Sequence, residues 1–110
     1  MSGLSFRPAG PADGFAEGSI THLEIEGREI GLYLVGGTFY AIGDICTHMR
    51  TRLSDGYLTG TVIECPLHFG RFDITTGKAV SAPCKVDVAA YPVRVADGMV
   101  ELGLYSPETA

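Results

Sequence analysis

The chain has no basic run, no long apolar run and no Gly-rich nucleotide fingerprint, and each absence removes a class of function. Its 8 Lys and Arg stand against 13 Asp and Glu, for a formal charge of −5. Nucleic-acid phosphates demand clustered Lys and Arg, so nucleic acid is not an expected partner. An anionic membrane surface is a poor partner for the same reason. Mild acidity suits docking onto basic protein patches. No segment approaches the roughly 20 apolar residues of a spanning helix. Residues 1–18 show neither an apolar signal core nor a twin arginine. The expectation is a soluble cytoplasmic protein with no membrane partner. Helical periodicity is missing too: "GPADGFAEGS" offers one turn at most. Three cysteines, an odd number, do not read as a disulfide framework. In a reducing compartment, clustered Cys and His more often hold metal.

What is present is β patterning in a chain of 110 residues, short enough to be one domain, residues 1–110. "THLEIEGREIGLYLVGGTFYAIGD" alternates with period two through Leu23, Ile25, Ile30, Leu32, Leu34, Phe39 and Ala41. Alternation predicts a three-strand meander with one buried and one wet face. Glu26-Gly27 and Gly36-Gly37 fall at the breaks, where hairpin turns need positive φ. "AAYPVRVADGMVELGL" predicts a second hairpin around Asp97-Gly98, with Tyr91, Val93 and Val95 on one face and Val100 and Leu102 returning. Pro92 places its first strand at an edge. An opening strand is expected near Leu4 to Arg7. Residues 44–85 differ in kind, being loop-rich and Gly-punctuated, and read as an insertion between meander and hairpin.

That insertion holds two tight pairs, Cys46-x-His48 and Cys65-x-x-His68. A lone buried Cys or His is usually packing. Four in two pairs are a stronger signal, because thiolate and imidazole are the strongest protein ligands for borderline-soft metals. Zinc is the first metal to consider, but zinc fingers pair Cys with Cys and His with His. Mixed pairs suit a 2Fe–2S centre with two Cys on one iron and two His on the other.

"CTHMRTRLSDG" and "CPLHFGRFD" resemble the two cluster boxes of Rieske proteins. With "LVGGTFYAIGDICTH", "GYLTGTVIECPLHFGRFDITTGKAV" and "YPVRVADGMVEL", nearly the whole chain is similar to the Rieske-type ferredoxins of bacterial multicomponent aromatic-ring dioxygenases. The resemblance implies an all-β Rieske fold, an antiparallel sandwich of small sheets with an inserted cluster-binding subdomain at about 44–85. It implies one Rieske 2Fe–2S cluster, with Cys46 and Cys65 on one iron and His48 and His68 on the other. It implies a one-electron carrier, not an enzyme, with no catalytic residues. The partners it implies are a flavin-dependent ferredoxin reductase and a terminal oxygenase, with the carrier a monomer. A Rieske-type small subunit of an assimilatory nitrite reductase is the second reading, and a structural zinc module the third.

High-potential Rieske proteins carry an extra cysteine in each box and two hydroxyls bonded to cluster sulfurs. The matching positions here are Thr51 and Leu67, then Gly70 and Phe72. Fewer hydrogen bonds to sulfur imply a potential toward the low end of the Rieske range, roughly −150 to +300 mV. Two ferric ions, two sulfides and two thiolates sum to zero, so an added electron leaves −1 beside the imidazoles. The histidine end is then the expected electron port, and its rings should acidify on oxidation. A Rieske oxygenase also needs a mononuclear iron on two His and a carboxylate. With three His in the chain and two on the cluster, only His22 is left, so that chemistry is excluded.

The remaining residues carry plainer expectations. His22 is placed on a strand's wet face. Cys84, in "VSAPCKV", is a small apolar filler. Met49, Leu67 and Phe69 form local packing and equally a water-excluding collar with a docking patch. Arg50, Arg52 and Arg71 are solvated surface near the boxes, with the possibility of meeting a partner's acidic groups. Gly43, Gly56, Gly60, Gly70 and Gly77 serve turns. Asp73 caps or braces the second box.

Overall fold

The computed structural model describes residues 4–46, 51–67, 70–81 and 86–105. Eleven short strands run in chain order: β1 Leu4–Pro11, β2 Ile20–Ile25, β3 Arg28–Val35, β4 Thr38–Gly43, β5 Tyr57–Thr59, β6 Val62–Glu64, β7 Arg71–Asp73, β8 Ala79–Ser81, β9 Ala90–Tyr91, β10 Val93–Ala96 and β11 Met99–Tyr105. A single 3₁₀ turn, Ala12–Gly14, is all that "GPADGFAEGS" forms. The strands make three antiparallel sheets, ordered β1-β11-β10, β2-β3-β4-β9 and β5-β6-β7-β8.

The hairpins follow their turn residues. Glu26-Gly27, Gly36-Gly37 and Asp97-Gly98 each have positive φ at both positions. Two-residue loops of that kind match the right-handed twist of the strands they join. They fix the registers Ile25 to Arg28, Val35 to Thr38 and Ala96 to Met99. The hairpin expected from Tyr91 to Leu102 is instead divided between two sheets. β9 pairs with β4, and after Pro92 the chain crosses to pair β10 with β11. Both strands are edges, as a missing backbone N–H requires. Val95 does not share the inward face of Tyr91 and Val93, because it is 52% exposed.

The meander lies between two cores rather than between a core and water. On one face Ile30, Leu32 and Ala41 pack against Val100, Leu102 and Leu104 of the β1-β11-β10 sheet. On the other, Tyr33 and Ile42 pack against Leu53, Ile63, Phe72 and Ile74 of the inserted segment. Each Val, Leu, Ile or Phe among them contributes roughly 1.5–3 kcal/mol when fully buried. The expectation of a wet second face fails because the insertion carries its own four-stranded sheet and lays it there. Period-two alternation shows which residues share a face, and the second face here is covered by chain that follows later.

Two glycines let the inserted sheet close. A Cβ on Gly56 would sit 1.9 Å from the Glu64 carbonyl oxygen, immediately before Cys65. Gly77 has φ +80, and a Cβ there would sit 2.2 Å from the Val88 carbonyl oxygen. Gly60 has φ +59 but open space around it. Gly56→Ala and Gly77→Ala should each cost about 1–3 kcal/mol or more through backbone displacement, and Gly60→Ala about 1 kcal/mol through φ alone. Urea denaturation of the three variants checks the ranking. A Gly56→Ala protein as stable as Gly60→Ala would contradict this packing.

Candidate metal centre

The two boxes are built alike. The Cys46 N–H donates to the Thr51 carbonyl at 2.8 Å, and the Cys65 N–H donates to the Gly70 carbonyl at 2.7 Å. In both, the acceptor lies five residues beyond the cysteine. Behind each loop an antiparallel pair closes the neck, Ile45 opposite Arg52 and Glu64 opposite Arg71. Two segments of different spacing thus close in the same way, and in the sequence each His of the motif falls between its Cys and the closing carbonyl.

Both cysteines end in the same core. Cys46 is 2% exposed and Cys65 is fully buried, and they share one apolar cluster with Tyr33, Ile42, Leu53, Ile63, Phe72 and Ile74. Two sulfur donors from separate loops, gathered in one dry place, fit the sulfur half of a mixed N/S donor set. His48 and His68 lie outside the described residues, as do Met49, Arg50, Phe69 and Cys84. Among the described residues, no group of three or more Cys, His, Asp or Glu is placed to hold a metal ion. Gly70 is buried and Phe72 is 0% exposed, and neither side chain carries a hydroxyl.

One residue the sequence reading passed over organises the first neck. Asp44 is 0% exposed. Its backbone N–H donates to the Glu29 carbonyl and its carbonyl accepts the Leu53 N–H, at 3.0 and 2.7 Å. The Ser54 N–H donates to Asp44 Oδ1 at 2.8 Å, and the Ser54 hydroxyl to Oδ2 at 2.6 Å. His22 Nδ1 lies 2.6 Å from the same Oδ2. An acceptor-only carboxylate ringed by donors is how a buried acid is accommodated. His22 is therefore not on a wet face. It sits on the inserted segment's side of β2, with Nε2 3.6 Å from Glu29 Oε1. A signal was available: Asp44 follows Ile42 by two residues, so alternation points it inward, and an inward acid implies partners.

Tyr33 lies beside this group, fully buried, with its hydroxyl unpartnered among the described residues. Burial raises its phenol well above the ordinary value, and the Asp44 charge raises it further. It stays neutral at any working pH.

The charged rim is weakly held. Arg71 Nε is 3.2 Å from Glu64 and Arg52 Nε 3.8 Å from Glu29, with both arginine side chains at least half exposed. Pairs of this kind contribute less than about 1 kcal/mol. Leu67 is 59% exposed beside Cys65 and Pro66. Asp73 braces the turn after the second box rather than the box itself, accepting from the Thr75 N–H and hydroxyl at 2.9 and 2.7 Å.

Comparison with known proteins agrees with this arrangement. The Rieske [2Fe-2S] domain family matches residues 5–92. The ferredoxin component of the naphthalene 1,2-dioxygenase/salicylate 5-hydroxylase systems of Ralstonia sp. is 47% identical over 90 residues, covering 82% of this chain and 86% of that one. In the solved complex of reduced oxygenase and oxidised ferredoxin of carbazole 1,9a-dioxygenase, a matching chain superposes with a TM-score of 0.84 at 38% identity, covering 88% of this chain and 91% of that one. A nitrite reductase small subunit from Mycobacterium tuberculosis superposes equally well, at 0.84 over 94% of this chain and 97% of that one, but at 19% identity it shows the fold alone. With its paired loops, its buried sulfurs and this match over most of its length, the chain belongs to the Rieske [2Fe-2S] domain family and carries one Rieske-type 2Fe–2S cluster as an electron carrier.

Proposed function

We propose that this chain is the low-potential ferredoxin of a ring-hydroxylating oxygenase system. It takes one electron at a time from a flavin-dependent reductase and delivers it to a terminal oxygenase. Cys46 and Cys65 hold one iron, and His48 and His68 the other, within a cluster-binding subdomain spanning about 44–85 of the single domain 1–110. The observation that carries this reading is the pair of buried cysteines, each opening a loop closed by its own N–H, in a chain 47% identical to a dioxygenase ferredoxin. When bound, the cluster supplies reversible one-electron storage. The chain's own groups bury the sulfur end, exclude water from it and present Leu67 beside the second loop as an apolar contact for a partner. The protein works as a cytoplasmic monomer, apart from membranes. The nitrite reductase reading is weaker, since its similarity stops at the fold. Co-purification with a sirohaem enzyme would favour it.

Two measurements test this. Cys65→Ser and His48→Ala should each lose the visible absorption of the cluster, and dithionite-reduced wild type should give an EPR signal with the lowered average g of mixed N/S ligation. Full colour in either variant, or a colourless wild type holding zinc, overturns the ligand assignment. Second, redox titration should place the midpoint toward the low end of the roughly −150 to +300 mV Rieske range, because Gly70 and Phe72 offer the cluster sulfurs no hydroxyl. A clearly positive midpoint contradicts it.

A further inference from the structure

Beyond the ligands, one buried charge has no part in cluster ligation or in docking. Asp44 stands two residues before Cys46 and is 0% exposed. It fastens the neck of the first loop by main chain and side chain together, through Leu53 N–H, Ser54 N–H and the Ser54 hydroxyl. Its carboxylate reaches His22 across β3 at Gly31, the residue opposite His22 in the β2-β3 register. A Cβ on Gly31 would meet Asp44 Oδ1 at 3.0 Å and the Tyr33 hydroxyl at 3.3 Å. The missing side chain is what lets an acid from the end of β4 meet a histidine of β2. The group thus has parts on β2, on β3, at the residue following β4 and on a turn.

A hydrogen-bonded neck alone does not require a charge, since a neutral amide could accept the same Ser54 N–H. A carboxylate taken out of water adds a negative potential that solvent screens little. Uptake of an electron nearby is then disfavoured, and the oxidised state favoured. The donors from Ser54 and His22 pull that charge back and moderate the effect. We propose that Asp44 is a positioning residue for electron transfer that also holds the cluster potential low, with Ser54 and His22 setting how much of its charge the cluster feels. The inference rests on the ligand assignment proposed above.

The test is the midpoint potential of the holoprotein with Asp44→Asn, Ser54→Ala and His22→Leu, each checked by EPR of the reduced state. Asp44→Asn should shift the midpoint upward, because the charge is gone. Ser54→Ala and His22→Leu should shift it downward, because the charge stays and loses a compensating donor. His22→Gln, which keeps an N–H donor, should return it toward the wild-type value. A purely structural bracket would not produce shifts of opposite sign. Unchanged midpoints with an intact EPR signal, or shifts all in one direction, overturn the proposal. Should Asp44→Asn fail to assemble its cluster, the Ser54→Ala midpoint decides alone: lower supports, unchanged overturns. A wild-type EPR signal without the lowered average g of mixed N/S ligation would refute the ligand assignment on which this role rests, whereas a normal wild-type signal with unshifted variants refutes this role alone.

Discussion

Two loops of unequal spacing must bring their cysteines into one water-free core, and most of the inserted segment exists to meet that constraint. The recurring solution is a cysteine N–H bonded to the carbonyl five residues ahead, at Thr51 and at Gly70. This bond turns each box into a closed loop whose base is an antiparallel pair. A loop tethered at its base has less freedom left to lose when a ligand is bound. The glycines at 56 and 77 matter for the same reason, since each allows a backbone approach that any side chain would block.

The two cores are chemically unlike, and β3 belongs to both. Ile30 and Leu32 face an aliphatic interior closed by the terminal strands. Gly31 and Tyr33 face the side that holds both cysteines, Asp44 and the Tyr33 hydroxyl, unpartnered among the described residues. One core contributes stability with little chemistry. The other contains polar groups, thiols and a missing Cβ, features that cost stability unless they serve the site. A single strand with alternating residues assigned to each task ties the redox end rigidly to the scaffold.

Much of this was legible in the residues. The meander, the three turns with positive φ and the Cys–His boxes are local features, written in spacing and turn chemistry. What was not legible depends on chain brought from far away. The wet face assigned to His22 was covered by the insertion that begins at residue 44, and nothing in the alternation of β2 itself announces that cover. The break at Pro92 was read as an edge, correctly, but its second consequence, the exchange of one sheet for another, needs β4 and β11 as neighbours. The loop-rich reading of the insertion missed four strands of three residues each, too short for alternation to show.

Position and charge together account for how such a small chain can set a potential without chemistry of its own. Around a cluster the available means are hydrogen bonds to sulfur, solvent exposure and net charge nearby. The first gains nothing from Phe72, which is wholly buried and has no hydroxyl to donate. The second is limited where both cysteines are buried. The third remains adjustable, and Asp44 sits where a charge acts with least screening. Surface ion pairs such as Arg71–Glu64 offer far less control, because salt and water dilute them. A buried carboxylate two residues before Cys46 acts through less screening than an exposed acid does, and the chain's overall charge of −5 suits encounter with basic protein surfaces.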